Sequence, residues 1–178
     1  MELKERQLNS KLIYKGKILN LRRDRVCLPD GREAFREIVE HPGAVAVVAL
    51  DEEKSVYLVR QYRYPVEKVL LEVPAGKLDP GEEPLDCARR ELAEEVGLSA
   101  SRWQLLTTFY TTPGFSNEQM FLYLATGLEM ISAEADADEF LEVVKMPLAE
   151  AVSQALNGTI QDAKSIAGLL AAAQFLQI

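Results

Sequence analysis

GKLDPGEEPLDCARRELAEEVGL, residues 76–98, opens on a glycine-rich turn and runs into a segment with helical periodicity. Pro84 suits the first helical position, where its missing N–H costs nothing. Gly97 stands where a left-handed C-terminal cap belongs. At about 100° per residue, Leu85, Ala88, Leu92 and Val96 form one apolar stripe. Glu91 and Glu95 flank that stripe, Glu94 lies just beyond it, and Asp86, Arg89 and Ala93 point to solvent. Like charges three or four residues apart on a helix repel by roughly 0.2–0.5 kcal/mol per pair. A cation removes that penalty. Hard divalent cations such as Mg²⁺ take oxygen ligands and usually meet the protein together with substrate phosphates. The stretch therefore reads as a metal site for phosphate chemistry.

Outward from this helix, the 178-residue chain carries patterns of strand and helix. Lys11 to Tyr14, Ile18 to Leu28 and Arg32 to Glu40 read as extended, with Pro29-Asp30-Gly31 as the turn joining the last two. Ala44 to Leu50 is a buried strand, and Ser55 to Gln61 another, joined by a hairpin turn at Asp51 to Lys54. Leu70 to Val73 is a short extended lead into residue 76. Trp103 to Thr111 and Glu118 to Ala125 read as strands around the loop Thr112-Pro113-Gly114-Phe115-Ser116-Asn117. Ser132 to Asp138 is small, acidic and loop-like, and Phe140 to Met146 returns to strand character. A helix begins at Pro147 and stops near Gly158. A last helix starts after an Asp162 cap and runs toward Phe175. Strands and helices alternate irregularly, which predicts an α+β fold or mixed-sheet sandwich.

Composition narrows the function. A hydrophobic content of 48% argues against disorder. The net charge of −8 argues against broad affinity for nucleic acid, which needs a basic surface. The same charge means that local arginines and metal must draw in an anionic substrate. The N-terminus shows no signal-peptide core, and the apolar run Ala44 to Leu50 is too short to span a membrane. The two cysteines, Cys27 and Cys87, fit a reducing cytoplasm better than a disulfide framework. Cys87 reads as a packing residue, since the sole histidine, His41, lies in a distant strand-like segment.

Gly76, five residues, Glu82, seven residues, then Arg90-Glu91-Leu92, one residue, Glu94-Glu95, one residue and Gly97-Leu98 resembles the Nudix box at every fixed position. The resemblance implies a hydrolase of nucleoside diphosphates linked to another group, with Mg²⁺ or Mn²⁺ held by Glu91, Glu94 and Glu95, more than one ion per site. It implies that Arg90 and Glu82 orient those carboxylates. It also implies an α/β/α sandwich around a mixed sheet: an extra N-terminal β element over residues 1–42, then a Nudix hydrolase domain over 43–178. A homodimer is expected with it, the β segment from Leu12 to Val39 exchanging with a second subunit.

Three features outside the box resemble the ADP-ribose pyrophosphatase branch. Arg60-Gln61-Tyr62-Arg63 ends a strand, and arginine's planar fork suits phosphate oxygens. Either arginine has an alternative partner in Glu67 or Glu72. Pro113 stands where that branch marks ADP-ribose specificity, which places Gly114 and Glu118 beside the distal ribose; a plain Pro-Gly turn explains the same residues. In Glu72-Val73-Pro74-Ala75-Gly76, the resemblance gives the Ala75 carbonyl to the metal and Glu72 to the substrate. Upstream, Arg36 and Glu37 resemble residues that meet adenine in some relatives, although strand alternation also accounts for them.

For ADP-ribose the implied products are AMP and ribose 5-phosphate. The attacking water needs a base within hydrogen-bond reach. Glu139 is one candidate; Glu94 or Glu95, acting through the metal, is the other. Two rival functions are a related nucleotide-sugar pyrophosphatase, such as a GDP-mannose hydrolase, and a non-catalytic module that senses ADP-ribose or a nucleotide.

Overall fold

The structure, a computed structural model, describes residues 2–132 and 140–177. The chain divides into two compact units, Met1–Gly43 with Tyr110–Gln119, and Ala44–Phe109 with Met120–Ile178.

The first unit is a three-stranded antiparallel sheet in the order β1-β2-β3: β1 (Arg6–Lys15), β2 (Asn20–Cys27) and β3 (Glu33–Glu40). The Pro29-Asp30-Gly31 turn closes the β2–β3 hairpin. There Gly31 donates to the Leu28 carbonyl at 2.9 Å, and Asp30 accepts from the Arg32 amide at 3.1 Å. Residues 110–119 join this unit, although in sequence they lie far inside 43–178. The Val39 amide donates to the Phe115 carbonyl at 2.8 Å, and Asn117 Oδ1 accepts from the His41 amide at 2.8 Å.

The second unit holds a seven-stranded mixed sheet. Its main path is β10-β5-β4-β9-β8, with β4 (Ala44–Leu50), β5 (Ser55–Arg63), β8 (Leu98–Tyr110), β9 (Gln119–Met130) and β10 (Leu141–Pro147). β4 runs parallel to β9 and antiparallel to β5. Every residue of β4 is buried, because both of its faces are covered. Ala44, Ala46, Val48 and Leu50 pack with Leu148 and Ala151 of α2 (Leu148–Leu156) and with Leu169 and Ala172 of α3 (Ala163–Leu176). Val45, Val47 and Ala49 pack with Cys87, Ala88, Leu92 and Val96 of α1 (Pro84–Val96). The alternation of one strand thus divides the core into two layers. Among the described residues, no helix is long and apolar enough to cross a membrane.

α1 has Pro84 in its first turn and ends on Gly97 at φ 68°, whose amide donates to the Ala93 carbonyl at 2.9 Å. Cys87 joins the buried stripe, and Leu85 packs at its margin. Ala93, expected in solvent, is half-buried. α3 begins as read: the Asp162 carboxylate accepts from the Ser165 amide at 2.9 Å.

β1 (Arg6–Lys15), β8 (Leu98–Tyr110) and β9 (Gln119–Met130) run beyond the stretches expected from sequence, and two strands before α1 differ further. The extended lead is β6 (Lys68–Glu72), reached through a 3-10 turn at Tyr64–Val66, and Ala75–Lys77 forms a separate strand, β7. Gly76 therefore lies in a strand and not in the turn expected there. β4 and β5 pair at only two positions, Ala49 with Tyr57 and Leu50 with Val56. Beyond them, β6 pairs with β5 and β7 with β4. The link Val73-Pro74 spans the gap between β6 and β7, its Pro74 carbonyl accepting from the Val47 amide at 2.8 Å.

Candidate active site

The splay between β4 and β5 puts Ala75 and Gly76 under the acidic face of α1. Glu91 and Glu95 are buried, with 9% and 5% of their surface exposed, so α1 turns two carboxylates inward beside its apolar stripe. The Glu91 carboxylate lies against Gly76. A Cβ there would fall 1.9 Å from both the carboxyl carbon and Oε1. Glu95 Oε2 accepts from the Ala75 amide at 2.9 Å. The glycine that opens the box is thus required for room.

Arg90 gathers the remaining charge. Its Nε and Nη2 donate to the two oxygens of Glu82 at 3.0 and 3.1 Å. Its Nη1 donates to Glu91 at 2.7 Å and to Glu94 at 2.9 Å, and Nη2 reaches the Lys77 carbonyl at 3.3 Å. Hydrogen bonding to Arg90 holds the Glu82 carboxyl down at about 2. The same contacts, Glu82 first, push the Arg90 guanidinium upward. Burial, then the charge of Glu82, pushes the Cys87 thiol up to about 12, so Cys87 is a packed thiol and no nucleophile.

Glu82 supplies a pH test. Its value in the fold lies below the ordinary 4.5, so its stabilisation is complete above about pH 4.5 and lost as pH falls toward about 2. Arg90→Met removes the largest cause of that shift and leaves the smaller ones from the Asp79 amide and Cys87. The melting temperature of R90M is expected to fall below wild type by several degrees at neutral pH, and the gap to close as pH drops through that window. Thermal melts by circular dichroism across the range read this; a gap that stays constant with pH contradicts it.

A second charged cluster stands on β5, β6 and α3. Glu72 has 1% of its surface exposed. Arg63 grips it side-on, Nε to Oε1 at 2.9 Å and Nη2 to Oε2 at 2.8 Å. Lys164 donates to the same Oε2 and pairs with Asp162 at 3.0 Å. Burial is the largest single influence on Glu72 and acts upward. Arg63, then Lys164, outweigh it and hold the carboxyl below its usual range. The Ser165 hydroxyl accepts from the Val73 amide at 2.8 Å and donates to Asp162. Nothing in the sequence marked Lys164 or Ser165 beyond their place just after the Asp162 cap.

The two arginines of Arg60-Gln61-Tyr62-Arg63 part company. Residues three apart on a strand face opposite ways. Arg60 meets its cross-strand neighbour Glu142 at 3.2 Å, a partner outside the Glu67 and Glu72 named from sequence, while Arg63 meets Glu72. In the first unit, Arg36 Nε donates to Glu5 at 2.9 Å, and Glu37 lies opposite Arg23 in the β2–β3 ladder. Glu118 accepts from the Thr111 hydroxyl, and His41 Nδ1 lies 3.6 Å from its other oxygen. Apart from its immediate chain neighbours, no heavy atom of the described residues lies within 4 Å of where a Cβ on Gly114 would stand. Glu139 lies outside the described residues.

Among the described residues, no three acidic, histidine or cysteine side chains converge to chelate an ion as they stand. Arg90 explains this for the box, since one of its nitrogens bonds both Glu91 and Glu94. The donors themselves fit Mg²⁺ or Mn²⁺: buried carboxylate oxygens beside backbone, with no soft ligand among them. The close seat of Glu91 on Gly76 fixes one of these carboxylates against the strand.

Residues 40–169 match the NUDIX domain, and residues 5–39 match the nucleoside diphosphate sugar hydrolase N-terminal domain. The chain belongs to the Nudix family, whose hydrolases generally depend on divalent metal. It is similar to the ADP-ribose pyrophosphatase of Bacillus subtilis (strain 168), with 41% identity across 99% of this chain and 94% of that one. It is equally similar, at 41% across 98% and 93%, to the methanol dehydrogenase activator of Bacillus methanolicus. Its fold matches a crystal structure described as an ADP compounds hydrolase, with a TM-score of 0.88 over 99% of this chain and 97% of that one, at 24% identity.

Proposed function

We propose that the protein hydrolyses the diphosphate linkage of ADP-ribose to AMP and ribose 5-phosphate. The observation that carries this is the seating of Glu91 on Gly76 and Glu95 on the Ala75 amide, in a chain similar over nearly its whole length to an ADP-ribose pyrophosphatase. Divalent ions held by Glu91, Glu94, Glu95 and the Ala75 carbonyl would neutralise the diphosphate and activate water for attack. Arg90, braced by Glu82, keeps Glu91 and Glu94 in register, and the Ala75 amide holds Glu95. Arg63, aligned by Glu72, offers a fork to phosphate oxygens. Glu139 remains our candidate for the base, with Glu94 and Glu95 as the alternative. Arg60 is a weaker candidate for phosphate than Arg63, because Glu142 holds it. Arg36 and Glu37 for adenine, and Gly114 and Glu118 for the distal ribose, rest on the resemblance.

We further propose a homodimer built through the first unit. Leu12, Ile13, Tyr14, Ile18 and Phe35 each leave 49% or more of their surface exposed, which is a large apolar area for a small sheet. The two unpaired cysteines support a cytoplasmic location.

A substrate panel tests the proposal. With Mg²⁺ or Mn²⁺, ADP-ribose is expected to be cleaved at least about tenfold more efficiently than GDP-mannose or NADH, a ratio that pocket contacts readily supply. Mass spectrometry in heavy-oxygen water identifies the products and the phosphorus attacked, and light scattering on the same preparation should read the mass of two chains. Preference for GDP-mannose would make the enzyme a different nucleotide-sugar pyrophosphatase. The similarity to the methanol dehydrogenase activator favours a second reading, a Nudix protein that regulates a partner. Binding of ADP-ribose without hydrolysis would select it.

A further inference from the structure

Glu72 is a buried charged group that the box leaves unexplained. A carboxylate this far from water is stable only with charge and hydrogen-bond compensation. Two cations supply it, and they are not equivalent. The Lys164 side chain is 13% exposed and stands between Glu72 and Asp162. The Arg63 side chain is 39% exposed. Its side-on grip uses Nε and Nη2, so the Nη1–Nη2 edge of the guanidinium is turned away from Glu72. The buried cation is placed to remain, and the exposed one to meet a solute.

The anchor of this cluster lies in the first turn of α3. Asp162 caps the helix and holds Lys164. Ser165, bonded to Asp162, takes the Val73 amide, one residue before Pro74. A single turn of helix thus fixes both the Glu72 side chain and the backbone that leads into Ala75 and Gly76. Lys164 shares Oε2 of Glu72 with Arg63 Nη2. Without Lys164, Arg63 would be the one of these two cations left on the buried anion, and the attraction would draw it inward.

We propose that Lys164 is a positioning residue, which fixes Glu72 and through it aims the outer edge of Arg63 at the diphosphate of the substrate. The inference rests on the hydrolase reading above and extends it to a residue on α3, far from the box in sequence. A phosphate contact made equally in the ground and transition states appears in KM, while one made only in the transition state appears in kcat.

The test uses the full chain with ADP-ribose and saturating Mg²⁺, and the variants Lys164→Met, Lys164→Arg, Glu72→Gln and the double variant E72Q/K164M. K164M is expected to raise KM about tenfold while kcat stays within about threefold of wild type. K164R, which keeps the charge, should restore KM to within about threefold. E72Q should raise KM as K164M does, and K164M added to E72Q should raise it no further, since both act through one carboxylate. A wild-type KM in K164M overturns the inference. So does full additivity in the double variant, or a loss of kcat that tracks a fall in Tm and leaves KM unchanged. If K164M does not fold, E72Q decides, because a wild-type KM there removes the link through Glu72. A wild-type protein inert on ADP-ribose sinks the hydrolase reading and this inference together. An active wild type with an unaltered K164M sinks the inference alone.

Discussion

Gly76→Ala is expected to lower turnover at least about a hundredfold while leaving the protein folded, because misplacing a reacting group by an ångström is enough to cost that much. The new Cβ would fall 1.9 Å from the carboxyl carbon of Glu91 and 2.4 Å from Oε2. The atoms it meets are the end of a flexible side chain, so the carboxylate moves and the strand does not. The stability cost should stay within about 1–3 kcal/mol, the usual range for overpacking. Activity has no such latitude, since the displaced group is one of the carboxylates assigned to the metal. Steady-state kinetics beside a thermal melt separate the two effects. Normal turnover in G76A would show that Glu91 need not occupy that seat.

Glu95→Gln is the second large effect. Glutamine keeps the shape and can still accept the Ala75 amide now bonded at 2.9 Å. It loses the negative charge and puts a donor where a hard cation needs an oxygen. Turnover should fall by more than the 10–100-fold typical of residues that only support a metal ligand, that is, by more than about a hundredfold. Stability should hold or rise slightly, because relieving like charges on a helix is worth roughly 0.2–0.5 kcal/mol per pair. Manganese titration by calorimetry should show weakened binding. Near-normal turnover at saturating Mg²⁺ would remove Glu95 from the site.

Local chemistry was readable from the sequence; the relations between strands were not. α1 announced itself because Pro84, Gly97 and the stripe through Ala88, Leu92 and Val96 all point to one helix. β4 was readable as an unbroken apolar run, and Asp162 as a cap. The splay of β4 from β5 left no such trace, since pairing depends on partners distant in the chain. That is why local sequence at Gly76 points to a turn where the structure has a strand. It is also why Arg60 and Arg63 looked alike until their opposite faces met Glu142 and Glu72. Lys164 reaches Glu72 across 92 residues, a distance no local pattern spans. The loop around Gly114 joined the first unit through bonds to Val39 and His41, which composition does not encode.

The contacts of Arg90 with three carboxylates have a consequence for how such an enzyme matures. A site built only from acids would resist closing until its counter-ions arrived, as in small metal-dependent domains that are unfolded when stripped. Here Arg90 supplies the counter-charge, so on the proposed reading the scaffold would assemble first and take up metal afterwards. Scarcity of the ion in a cell would then idle the enzyme without condemning it to degradation, and resupply would restore a standing pool.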